Sequence, residues 1–98
     1  MNIQAMMREA QRLQKEMMKE KDEIDGTIYE GESSFVKVKV NGKKEIVEIK
    51  INQESMDKED IEMLQDILQV AINDAMKKID ADTEKKMSKY TQGMPGLF

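Results

Sequence analysis

Four cations, Arg8, Arg12, Lys15 and Lys19, recur at steps of four, three and four near the start of the chain. On an α-helix that spacing gathers them into one stripe. Such a row can neutralise successive phosphates of a polyanion without reading base edges. Taken alone, it is equally the solvated face of an amphipathic helix. Lys78, Lys85 and Lys89 form a sparser row later in the chain, while Lys37, Lys39, Lys43 and Lys44 read as charge that keeps a strand edge from pairing with other chains. Little else here can do chemistry. There is no His or Cys, the four serines have no histidine to activate them, and no glycine pattern cradles phosphates. Asp57 with Asp60, or Glu62 with Asp66, could approach a metal, but the acidic first turn of a helix accounts for them. A non-enzymatic protein is expected, with no catalytic, cofactor-binding or metal-binding residue and no small-molecule substrate.

The elements that must carry these residues follow from periodicity. From about Asn2 to Glu23 there is no Gly or Pro, and Ile3, Met6, Ala10, Leu13, Met17 and Ile24 recur at helical steps, broken only by Glu20. This narrow stripe suits helix-on-helix contact and lies almost opposite the four cations. Ile24 to Glu30 reads as a short strand, with Gly31 to Ser34 as the turn into a hairpin running from Phe35 to Ile51. Asn41-Gly42 is a strong signal for a two-residue turn, which would pair Val40 with Lys43 and Val36 with Val47. Val36, Val38, Val40, Val47, Ile49 and Ile51 would then share one face, and Phe35, Lys37, Lys39, Lys44, Ile46, Glu48 and Lys50 the other. Asp57 is the expected N-cap of a long helix with Asp60 in its first turn. The apolar face from Ile61 to Ile79 is wide enough, with Met63 and Val70, for two neighbours. Gly93, Pro95 and Gly96 should end the helix, leaving a short flexible tail over about 93–98. The fold class is therefore α+β: a long N-terminal helix, a three-stranded antiparallel meander and a long C-terminal helix in one domain, 1–98.

Ninety-eight residues with 39% hydrophobic and 37% charged side chains bury only a thin core. Dimerisation would thicken it. The absence of cysteine fits the cytoplasm, no stretch approaches a membrane span, and residues 1–19 lack the apolar block of a secretory signal, so the folded chain is expected to start where the sequence does. The net charge of −4 is unevenly spread. Residues 1–19 carry four bases against two acids (+2) and residues 77–98 five against three (+2), whereas 20–52 carry six against eight (−2) and 53–76 one against seven (−6). Both helix ends that would project from the sheet are basic and the middle repels polyanions. Ten methionines at helical spacing read chiefly as gap-filling core.

The whole chain resembles the YbaB/EbfC family of bacterial nucleoid-associated DNA-binding proteins. The likeness rests on Met6-Met7, Ala10-Gln11 and Met17 in the opening helix, on the run from Val36 to Gly42, and on Ile49-Lys50-Ile51. Its most specific part is Glu59 to Leu64, Asn73-Asp74-Ala75, Met87, and Gly93-Met94 before Pro-Gly-Leu-Phe. Asn52-Gln53 stands where the family commonly has Asp-Pro, and Glu32-Ser33-Ser34 replaces a glycine-richer turn. The resemblance implies a homodimer whose sheets join, with helices projecting like tweezers, that binds double-stranded DNA with little sequence preference in the nucleoid. It makes Arg8, Arg12, Lys15 and Lys19 the DNA-binding candidates, assisted by Lys78, Lys85 and Lys89. The alternative is a non-enzymatic scaffold whose projecting amphipathic helices grip another protein.

Overall fold

In the computed structural model, which describes residues 2–91, Asn2 opens the first helix. Its side-chain oxygen accepts from the amides of Gln4 (3.0 Å) and Ala5 (3.3 Å), the ordinary N-cap arrangement. This helix, α1 (Ile3–Gly26), runs past Glu23 because its stop lies at Thr27, whose amide donates to the Ile24 carbonyl (3.0 Å) and whose hydroxyl donates to the Glu23 carbonyl (2.6 Å). Ile24, expected to open the first strand, is instead the one buried residue of α1.

The strands are β1 (Ile28–Ser33), β2 (Val36–Asn41) and β3 (Ile46–Ile51), in antiparallel order β1-β2-β3. β1 extends to Ser33, so most of the expected Gly31–Ser34 turn is strand, and the reversal is a tight one through Ser34 and Phe35 with Ser34 at φ 50°. Gly31 must be glycine for packing reasons. A Cβ there would run into the Ala71 carbonyl oxygen and stand 2.9 Å from the Ala75 side chain.

The second hairpin departs from the two-residue turn. The Asn41 side-chain oxygen accepts from the amides of Lys43 (2.9 Å) and Glu45 (3.1 Å), the Lys44 amide donates to the Asn41 carbonyl (2.9 Å), and Lys44 takes the left-handed conformation (φ 66°). An asparagine that satisfies two backbone donors in a longer loop outcompetes the shorter turn. Val36 consequently pairs with Ile51 and Val38 with Ile49, four residues from the expected register. An even shift keeps Ile49 and Ile51 on the face of the valines. An irregularity at Lys39/Val40 then pairs Val40 with Ile46, so Ile46, expected on the outer face, stands opposite a buried valine and Val47 is left without a partner in the ladder.

α2 (Asp60–Thr91) starts three residues after the expected cap. The Asp60 carboxylate nevertheless accepts from the Asp57 amide (3.1 Å), the reach-back half of a capping box in which Asp57 holds the N-cap position as expected. The expected helix stop at Gly93–Gly96 lies outside the described residues. α2 crosses β1 and β2 and leaves β3 uncovered. Val36, Val38 and Val40 are fully buried with Ala71, Ala75 and Ile79, and the Tyr29 hydroxyl ties β1 to α2 by donating to Asp82 (2.6 Å). Every residue of β3 is exposed.

Beyond the sheet α2 continues beside α1. Lys44, in the loop that abuts Ile24, pairs with Asp80 at 2.9 Å, and Glu20 pairs with Lys89 at 3.0 Å, so the helices run antiparallel. The expected helix-on-helix seam exists only at its Met17–Ile24 end. All of α1 from Ile3 to Glu16 is exposed and projects past Thr91 as a single-helix arm, which gives the molecule its 71 × 22 × 14 Å outline.

Candidate nucleic-acid interface

The arm carries the cationic stripe. Arg8, Arg12 and Lys15 border one shallow hollow with Gln11, Gln14 and Met18, and Lys19 lies one turn nearer the body. Arg8, Lys15 and Lys19 make no ion pair among the described residues. Arg12 is engaged along its own helix. Two of its nitrogens meet the carboxylate of Glu9, Nε at 3.1 Å, and Nη1 stands 2.6 Å from Glu16 Oε1. The guanidinium hydrogen bond holds the Glu9 carboxyl below the ordinary carboxylate range, and Glu9 first, then Glu16, raises Arg12 further. These groups are open to water, so a phosphate can compete for Arg12.

The later row divides. The Lys78 ammonium donates to the Glu30 carbonyl (2.8 Å) and stands 3.5 Å from Asp74, where it helps hold α2 on β1. Lys85 has no ion pair among the described residues. Lys89 is held by Glu20 and sits 5.0 Å from the centre of the Tyr90 ring; Glu20 first, then the nearby phenol, raises its pKa. Sequence spacing aligns these three lysines but cannot register Glu30 and Glu20, which come from other elements. Glu9 and Glu16 are visible at three and four residues from Arg12.

Outside the arm, the outward face of the sheet mixes signs, with Lys39 paired to Glu48 at 3.3 Å. No group of three or more His, Cys, Asp or Glu among the described residues could hold a metal, and no described helix is long and apolar enough to cross a membrane.

A three-stranded sheet bearing two long antiparallel helices, the first extended into a basic arm, defines an α+β protein that presents charge at a distance from its core. The chain belongs to the YbaB/EbfC DNA-binding family, whose sequence pattern matches residues 1–94. It is 44% identical to a nucleoid-associated protein of Ligilactobacillus salivarius, over 99% of this chain and 95% of that protein. It is 43% identical to a nucleoid-associated protein of Chloroflexus aurantiacus over the full length of both. The crystal structure of an uncharacterized protein from Helicobacter pylori shares the fold, with a TM-score of 0.75 over 92% of this chain and 97% of that one at 24% identity.

Proposed function

We propose that two copies of this chain form a homodimer that binds double-stranded DNA through phosphate contacts with little sequence preference, in the cytoplasm at the nucleoid, influencing nucleoid organisation or gene expression. The observation that carries the reading is the stripe Arg8 and Lys15 on an exposed helical arm, continued by the exposed Lys19 one turn nearer the body, with Arg12 able to join when phosphate replaces its glutamates. Lys85 is the available cation of the second row, because Lys78 and Lys89 are engaged within the fold. Dimerisation is supported by the free edge of β3 and by its uncovered Ile46, Ile49 and Ile51, together with the exposed Met63 and Val70 of α2. With few aromatic side chains to stack on bases, duplex backbone is a better substrate than single strands.

Doubling the three free cations gives on the order of six phosphate contacts, so affinity should fall about a thousandfold between 50 and 200 mM salt, alike for unrelated duplexes. Reversing Arg8 and Lys15 to glutamate should weaken binding of every duplex and flatten the salt slope while the melting temperature holds. Sedimentation equilibrium should give twice the chain mass at micromolar concentration. A double variant that binds as the parent does would sink the phosphate reading. The exposed apolar residues Ile3, Met6 and Leu13 on the same arm would then favour a second reading, a protein-binding scaffold.

A further inference from the structure

Glu20 stands where a seam residue belongs. The row Ile3, Met6, Ala10, Leu13, Met17, Ile24 is continued between Met17 and Ile24 by a carboxylate that turns toward α2. The side chain is 28% exposed, and its Oε1 lies 3.0 Å from the Lys89 ammonium. Its Oε2 is enclosed without a hydrogen-bond partner among the described residues, and Tyr90 lines the same hollow. A carboxylate in this position gives up hydration for a single ion pair, which is a poor source of stability. What a polar group on a helix seam does well is fix register and orientation, at some cost in stability.

Its place in the fold gives that role a consequence. Among the described residues Glu20 makes the one ion pair between the helices, just before the arm departs, and from Glu16 to Ile3 every residue of α1 is exposed. Arg8 is twelve residues further out, about 18 Å along the helix. A swing of about 10° at Glu20 therefore moves Arg8 by about 3 Å, close to the axial spacing of about 3.4 Å between successive phosphates of one DNA strand.

We propose that Glu20 is a positioning residue: its ion pair with Lys89 sets the register and angle of α1 on α2 and so aims the Arg8, Lys15 and Lys19 stripe. The DNA consequence rests on the proposed phosphate binding; the setting of the arm does not. Glu20→Leu separates a positioning role from a purely electrostatic one by sign. Removing an acid from a DNA-binding arm raises affinity by charge alone, whereas loss of positioning lowers it, here by about tenfold. Completing the apolar seam should leave the melting temperature unchanged or higher. Exchanging the pair, Glu20→Lys with Lys89→Glu, keeps the net charge and should restore affinity to within about threefold of the parent.

The arm can be read without DNA. The chain has no cysteine, so spin labels at Gln4→Cys on α1 and Lys77→Cys on α2, in protein diluted with unlabelled chains, report the arm directly. The parent should give one narrow distance distribution. Glu20→Leu should broaden it or shift it by about 1.5–3 Å, the rise of one to two helical residues, and the exchanged pair should restore it. An unchanged distribution in Glu20→Leu overturns the proposal whatever the gel shift shows. A changed distribution with affinity equal to or above the parent's supports the positioning role and overturns the phosphate-binding reading instead.

Discussion

β1 and β3 flank the same central strand, yet one is roofed and the other is bare. Tyr29 and Gly31 of β1 lie beneath α2, and Val36, Val38 and Val40 of β2 have no accessible surface. Ile49 and Ile51, which pair with two of those valines and share their face, are 45% and 40% exposed. From Val47 to Ile51 the alternation in β3 is as regular as in β2, and only Ile46 breaks it. Alternation therefore identifies a face that avoids water, but not what lies on it; the breadth of α2 decides that, and α2 is one helix wide. The same division runs along α1, buried at Ile24 and open at Leu13.

The roofed side breaks most easily at Gly31. Gly31→Val would drive a side chain into the backbone of α2 at Ala71 and Ala75, and is expected to cost about 3 kcal/mol or to prevent folding. Chemical denaturation measures this, and a loss below about 1 kcal/mol would mean that α2 lies further from β1 than described.

A smaller cost is expected at Gly42, about 2 kcal/mol for Gly42→Val. A Cβ there would meet the Ile24 carbonyl oxygen and lie 2.9 Å from Asp25 Cα, so the glycine is needed for the close passage of α1 over the hairpin loop. Gly26, where a Cβ would have no neighbour within 4 Å, is the control: Gly26→Ala should be neutral or stabilise by up to about 1 kcal/mol. Thermal melts of the two variants sharpen the contrast between a crowded glycine and an open one.

The smallest effect concerns Tyr29. Burial first, then its hydrogen bond to Asp82, pushes its phenol up from 10.0 to about 12. Because the folded state favours the protonated phenol, this contribution is complete below about pH 10 and is lost as pH rises from about 10 through about 12. Tyr29→Phe should remove about 1 kcal/mol near neutral pH and with it that part of the alkaline decline. Parallel melts at pH 8 and 11 compare the two proteins; a gap that does not narrow at pH 11 would show that folding leaves the phenol unshifted, and no gap at either pH that the Tyr29–Asp82 bond contributes nothing.

The element order, the three-stranded meander and the cationic stripe are legible in the sequence because each depends on spacing within one segment. The strand register is not. Asn41-Gly42 signals a tight turn only while asparagine acts through its backbone, and here its side chain organises a longer loop with Lys44 as the left-handed residue. Ile24 fits the helical period and yet reads as the start of a strand, because the stop signal at Thr27 is a side-chain bond to Glu23 rather than a Gly or Pro. In the candidate interface, periodicity locates Lys78 and Lys89 but not the Glu30 carbonyl and Glu20 carboxylate that occupy them, since those come from distant positions in the chain.

The 71 Å length has a hydrodynamic consequence. A compact chain of this size has a radius of gyration of about 13 Å, whereas this one has 19.4 Å. Friction rises with that elongation, so the protein will elute from a sizing column ahead of globular standards of equal mass, and a single subunit will resemble a dimer and a dimer something larger. Light scattering or equilibrium sedimentation, which weigh the particle irrespective of its shape, will therefore return a smaller mass than the column does, and the ratio between the two is itself a measure of how far the arm extends.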